Sequence, residues 1–335
     1  MNKKISLSGI KPTGTIHIGN YLGMIRPALE LVKKYQGLYF IADAHALNQV
    51  HNGDDLGRWT YEVAALWLAL GLEPEKVVFF RQSDISEIFE LTIILAASTS
   101  KGQMNRAHAY KDARETNVSA GRDPDAGINM GLYTYPILMA ADILLYGSHV
   151  VPVGKDQQQH VEIAADIAGA FNHSYSETFV IPEALVRPEV AIVPGVDGRK
   201  MSKSYNNVIP VFAPAEEIYR RVMSITTDSR RKDEPKDPDS DNLFSLFRLF
   251  ATPGEVEAMR RTYLKGGFGY GDVKQALFEV LEHTFGEKRK LYENYLKERR
   301  HLDKILQEGA EKARAIATPT IQKARMAVGF RKAVG

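Results

Sequence analysis

The chain has 335 residues, 44% of them hydrophobic and 25% charged, which suits about two globular domains with an ample core. Lys and Arg number 43 against 41 Asp and Glu, a net charge of +2 that excludes a strongly cationic DNA-coating protein but not a protein with one basic face. There is no cysteine, so disulfides, thiolate zinc sites, cysteine nucleophiles and cysteine-held iron–sulfur clusters are excluded, and a reducing compartment is expected.

The opening residues show no apolar run of signal-peptide length, and no stretch reaches the roughly 20 apolar residues of a membrane span, so a cytoplasmic protein without membrane contact is expected. Ile5–Ile10 and residues 37–42 and 76–80 read as short apolar strands, separated by segments of helical spacing at 18–35 and 56–70. A fourth strand candidate at 149–153 precedes a helix at 157–171. Such alternation implies βαβ units, so residues 1–213 are expected to form a doubly wound, Rossmann-like α/β domain with a parallel sheet. From residue 214 to 335 helical periodicity dominates, at 215–223, 243–250, 255–263, 273–284 and over a charged run at 287–315, and an all-helical second domain is expected. Pro253-Gly254 and the glycines at 266, 267, 269 and 271 punctuate it, with Asp272 placed to cap the next helix. Residues 229–242, SRRKDEPKDPDSDN, are too polar and proline-rich to pack and read as a mobile surface loop. Residues 286–335 hold 13 basic and 6 acidic side chains, either a solvated helical face or a phosphate-facing surface.

The sequence carries no G-x-x-x-x-G-K-[ST], no H-E-x-x-H and no G-x-S-x-G, and the glycines at 266–271 follow no strand, which removes the usual hydrolase and dehydrogenase readings. Residues 8–23, SGIKPTGTIHIGNYLG, instead run from strand through a Pro/Gly loop into a helix. The helix start offers unpaired N–H groups and a positive dipole end, and Gly19 lets a ligand lie against backbone. His17 and Asn20 stand one turn apart there, with Lys11 and Thr13 in the loop beside them. Taken alone, the segment equally describes a turn with a capping histidine. Residues 198–204, GRKMSKS, place Lys200 and Lys203 around Ser202 and Ser204, with Gly195 and Gly198 as hinges. Such a loop suits closure over a polyphosphate, or it is a basic surface loop.

His17-Ile18-Gly19-Asn20 resembles the HIGH motif, and residues 200–204 match the KMSKS motif, of class I aminoacyl-tRNA synthetases. The fuller resemblance is to the tryptophanyl-tRNA synthetase family. It rests on residues 8–23, DAHAL at 43–47, YPILMAADILLY at 135–146, VPVGKDQQQHVEIAADIA at 151–168, GRKMSKS, TTDS at 226–229 and GYGD at 269–272, and so spans nearly the whole chain.

The resemblance implies a class I catalytic domain that activates L-tryptophan with Mg2+-bound ATP and then charges tRNA(Trp). It assigns Lys11, Pro12, Thr13, His17, Gly19 and Asn20 to ATP, with Gly154, Lys155 and Asp156 on the ribose side and backbone near Ala191 at the adenine. Lys200, Met201, Ser202, Lys203 and Ser204 would close on the triphosphate, and His17, Asn20, Lys200 and Lys203 would carry catalysis. For tryptophan it points to Tyr135 and Gln157 at the amino group, to Met139, Ile143, Val151 and Val153 as walls, and to Asp142 as acceptor of the indole N–H. It implies no resident metal and no tightly bound cofactor. It also implies a homodimer, joined through a helical region at about 80–145, with helices after residue 214 meeting the tRNA anticodon end. Lys11 and Lys155 depart from many relatives, which carry glutamine and an acidic residue there. Three readings compete: a tyrosyl-tRNA synthetase, disfavoured by VPVGKDQQQH and MAADILLY; a nucleotidyltransferase, with no use for a helical domain; and a non-catalytic RNA-binding module.

Overall fold

A computed structural model describes residues 3–186 and 193–330, with the side chain of Asp156 excepted. Ala191, expected at the adenine, lies outside the described residues. Met1–Gly14, Pro27–Pro188 and Glu298–Gly335 cluster as one compact unit, and Thr15–Arg26 with Glu189–Lys297 as a second.

The first unit is built on a parallel sheet of β1 (Ile5–Ile10), β2 (Gln36–Ile41), β3 (Val78–Arg81), β4 (Val150–Val153) and β5 (Glu183–Val186), in the order β3-β2-β1-β4-β5. The doubly wound class expected from the alternation is therefore what forms. Leu38, Tyr39, Phe40 and Ile41 are all buried, because a parallel sheet is covered on both faces. Strand order reverses between β1 and β4, and ligands of open α/β sheets bind beyond the carboxyl ends of strands at such a switch point. The loop that carries Lys11, Pro12 and Thr13 leaves β1 there. Helices α1 (Gly53–Ala69), α2 (Ser86–Ser98), α3 (Met130–Leu145) and α4 (Gln158–Ser174) belong to the same unit. Asn52 starts α1 by accepting the backbone N–H groups of Asp54 and Asp55 at 2.9 and 3.1 Å. The fifth strand has no counterpart in the sequence reading. It is four residues long with exposed ends, and so lacks the apolar run that marks a buried strand.

The second unit carries α5 (Ala215–Met223), α6 (Asn242–Phe247), α7 (Pro253–Lys265) and α8 (Tyr270–Lys297). Its core gathers Ile218, Val222, Phe244, Phe247, Tyr263, Leu277 and Phe285, all buried. Asp272 lies inside the first turn of α8 rather than ahead of it, and reaches back to accept the Gly269 N–H at 3.0 Å instead of capping the helix's own first N–H groups. The stretch at 229–242 lies on the surface as expected, with 229–235, 237, 239 and 240 exposed, but Lys236 and Pro238 within it are buried. Lys236 is 2% exposed and Asp241 caps α6 through the Phe244 N–H at 2.7 Å. A lysine packs when each ammonium proton finds a carbonyl, a possibility that composition does not show.

The compact units divide the chain elsewhere than at 213/214. The long charged run breaks at Glu298, and α9 (Arg299–Ala327) joins the first unit against β3. Its buried stripe of Ala310, Ala313, Ala317 and Ala324 lets backbones approach, and a Cβ at Gly309 would sit 1.6 Å from the Phe79 carbonyl oxygen. Arg81 reaches Asp303 at 3.2 Å, and Arg325 grips Glu90 with two bonds of 2.7 and 2.5 Å. Alanine spacing reports helix but not the surface it covers, so the sequence marked this helix without its partner.

Candidate active site

In the second unit, His17 is the extended residue ahead of the helical turn Ile18–Asn20. The Ile18 N–H donates to Ile209 O and the Val211 N–H to Ile16 O, both at 3.0 Å, which fixes the entry of that turn. Asn20 Oδ1 accepts the His17 backbone N–H at 3.2 Å, so this oxygen turns back on the chain rather than outward. A Cβ on Gly19 would lie 3.0 Å from His17 Nδ1 and 3.6 Å from Met201 Sδ. Gly19 is thus where the two motifs touch. Met201 is buried and packs, while Lys200, Lys203 and Ser204 are exposed. His17 is buried and its Nδ1 has no hydrogen-bond partner among the described residues. Desolvation, and then the charge of Lys203, lowers its pKa from 6.5 to about 4, so the ring is neutral at pH 7.

The KMSKS segment hangs from a short antiparallel turn, with the Gly195 N–H on Arg199 O at 2.7 Å and the Met201 N–H on Val193 O at 2.9 Å. Gly198 has φ +82°, a conformation that favours glycine. Gly195 serves as a point of close approach rather than a hinge, because a Cβ there would lie 2.3 Å from the Asn207 amide. Asn207, 1% exposed, accepts the Ser202 N–H at 2.8 Å and donates to Asp197 Oδ1 at 2.6 Å and Lys200 O at 3.1 Å. Ser202 and Ser204 place their hydroxyls 2.9 Å apart. Crowding by protein atoms lowers the Lys203 pKa although the side chain reaches solvent.

In the first unit, Lys11 lies 6.0 Å from the centroid of the Tyr135 ring, and burial lowers its pKa. Pro12 is buried and Thr13 half-buried beside it. Asp142, on α3 and 2% exposed, is held from two sides. His45 Nε2 stands 2.9 Å from Oδ2, and Gln82 Nε2 donates to both oxygens at 2.9 Å. Desolvation raises the Asp142 pKa, and the bond to His45 opposes it. Oδ1 accepts from Gln82 alone among the described residues, and so keeps acceptor capacity. Tyr135 bonds the buried His160 through its hydroxyl and meets the His45 ring edge-on at 6.2 Å between centroids. Ile143 and Val151 occupy plain core positions, whereas Met139 and Val153 are half-buried at the core edge. Gly154, Lys155 and Gln157 are exposed at the turn after β4. His45, Gln82, His160 and Asn207 had no assigned role. The DAHAL string held the signal for His45 and the string at 151–168 that for His160, whereas Gln82 and Asn207 lie outside the quoted segments.

The model of the tRNA synthetases class I (W and Y) family matches residues 2–286. The chain belongs to that family. A tryptophan–tRNA ligase of Pseudomonas aeruginosa is 50% identical over 330 residues, which are 97% of this chain and 73% of the relative. A tryptophanyl-tRNA synthetase of Campylobacter jejuni, solved with ADP and tryptophan, has a TM-score of 0.90 at 43% identity and covers 97% of this chain and 99% of its own. A tyrosyl-tRNA synthetase of Archaeoglobus fulgidus, with a TM-score of 0.60 at 19% identity, shares the fold alone. Within the class I synthetase family, this chain sides with the tryptophan members.

Proposed function

We propose the following division of labour for a tryptophan–tRNA ligase. Tryptophan enters at Asp142, whose Oδ1 accepts the indole N–H, with Tyr135 and Gln157 at the amino group and Met139, Ile143, Val151 and Val153 forming walls. ATP takes its phosphates from Lys11, Pro12, Thr13 and the turn at His17, Gly19 and Asn20, and its ribose from Gly154, Lys155 and Asp156. Mg2+ arrives with ATP as part of the substrate. The tryptophan carboxylate attacks the α-phosphate, the bond to the β-phosphate breaks, and pyrophosphate leaves. Lys200 and Lys203 offset the charge that builds on the leaving group, with Ser202 and Ser204 donating hydroxyls. His17, neutral at pH 7, adds a hydrogen bond without proton transfer. A ribose hydroxyl at the 3′ end of tRNA(Trp) then attacks the carbonyl carbon of the adenylate and releases AMP. No covalent enzyme intermediate is needed, so positioning and electrostatics supply the rate.

The observation that carries this reading is Asp142, a buried carboxylate with acceptor capacity left, because indole presents a donor and nothing else. ATP–pyrophosphate exchange with each of the amino acids in turn tests it, and tryptophan alone should support exchange. Lys203→Ala should lower that rate by about tenfold to a thousandfold with tryptophan affinity little changed, as for one preorganised charge contact. We place the enzyme in the cytoplasm as a homodimer joined through the region at about 80–145, with tRNA(Trp) on basic helices after residue 214. No helix among the described residues is long and apolar enough to cross a membrane.

A further inference from the structure

In the second unit, a cavity of about 340 Å³ opens between the loop that holds Arg230, Lys232 and Lys236 and the turn that carries Phe268, Tyr270 and Asp272. It plays no part in the roles above, and its volume lies at the small end of ligand cavities, about 300–1,000 Å³.

Three cationic residues, Arg230, Lys232 and Lys236, line the cavity against one carboxylate, Asp272. Lys236, 2% exposed, donates to three backbone carbonyls, Arg231 at 2.9 Å, Glu234 at 3.1 Å and Phe268 at 3.2 Å, and stands 4.3 Å from the centroid of the Phe268 ring. No carboxylate among the described residues forms an ion pair with it. The ammonium is thus buried against neutral oxygens and a ring face, and Asp228 is a carboxylate close enough to feel its charge. The nearby carboxylates are engaged. Asp228 takes the Tyr270 hydroxyl at 2.7 Å and Arg230 Nε at 3.3 Å, and Asp272 takes the Gly269 N–H. Lys232 is exposed and pairs with no carboxylate among the described residues, while its side chain lies against Gly269.

We propose that this cavity binds a phosphate group, supplied by the sugar–phosphate backbone of the tRNA. The source rests on the tRNA(Trp) reading above, whereas the phosphate chemistry rests on the cavity alone. An exposed rim of Arg230, Lys232 and Gly271 admits a phosphodiester whose chain continues on both sides, and free phosphate is the competing source of the same chemistry.

Gly271 provides the test. A Cβ there meets nothing within 4 Å, and the residue sits in the first turn of α8, where glutamate is favoured. Gly271→Glu therefore adds a negative charge at the rim without removing any contact, and Gly271→Lys is its matched opposite. Binding of labelled tRNA(Trp) is measured across a salt series for both, and for Lys232→Ala, with the thermal transition as the check on folding. Gly271→Glu should weaken binding about three- to tenfold at low salt while Gly271→Lys does not, and Lys232→Ala should reduce the slope of log K against log salt by about 1. Calorimetric titration of wild type and Gly271→Glu with inorganic phosphate separates the sources. Phosphate binding lost in the variant with tRNA binding intact overturns the RNA source and leaves a free anion as the occupant. Both ligands binding the variants as they bind wild type overturns the cavity proposal. Failure of the wild-type protein to bind tRNA overturns the ligase reading instead, and the phosphate titration alone then decides the cavity.

Discussion

The Asn207 side-chain oxygen lies 2.8 Å from the Ser202 nitrogen, and its amide grips Lys200 O at 3.1 Å, so one buried residue holds the KMSKS backbone from below. Asn207→Ala removes three bonds and leaves the Ser202 N–H without this partner, at about 1–3 kcal/mol. Tryptophan-dependent exchange should fall about five- to a hundredfold in kcat with the KM for tryptophan nearly constant. Asn207→Asp keeps the acceptor for Ser202 but sets a carboxylate against Asp197, and should recover only part of the rate. A matched rise in the tryptophan KM would show that Asn207 supports the whole fold rather than the loop.

Asp142→Ala should lower kcat/KM for tryptophan by roughly ten- to several-hundredfold, since an indole N–H is left without an acceptor. It also deprives His45 and Gln82 of their buried partner, so a lower thermal midpoint should accompany the loss. An analogue with carbon in place of the indole nitrogen should lose much of its disadvantage in the variant. An unchanged tryptophan-to-analogue ratio would mean that Asp142 does not read the indole.

His17 makes stability depend on pH. Its folded pKa of about 4 lies below the usual 6.5, so the unfolded chain binds more protons between these values and stability rises with pH through that window. Protonating the buried ring costs on the order of 3 kcal/mol, a penalty absent above pH 6.5 that grows as pH falls toward 4. Denaturant titrations of wild type and His17→Gln across this window should show a shallower decline for the variant. Parallel curves would sink the assignment.

Gly309→Ala should destabilise the protein by about 1–3 kcal/mol through overpacking on Phe79, although alanine is the better helix former by about 1 kcal/mol. Gly286→Ala in α8, whose nearest neighbour would be Glu282 Oε2 at 3.6 Å, serves as the control and should stabilise slightly. Chemical unfolding of the two variants gives opposite signs if the helix crossing is as described.

The strands β1 to β4 and most helices were legible because burial on both sheet faces writes apolar runs and a helical face writes a period. Asp142 was legible too, as a lone carboxylate in an apolar run that had to find a partner. Its partners were not, because His45 and Gln82 reach it from segments 97 and 60 residues away and no local pattern encodes that meeting. Lys236 misled for the opposite reason. Its neighbours are charged and its burial depends on backbone carbonyls, which are the same in every sequence.

The contact between Gly309 and Phe79 also has a temporal meaning. The two residues are separated by about 230 positions, and at roughly 5–20 residues per second a ribosome needs about 10–45 s to make the second after the first. For that interval the face of β3 destined for α9 has no cover from its own chain. A nascent chain in this state presents an apolar strand, and the sheet unit closes only once α9 has emerged.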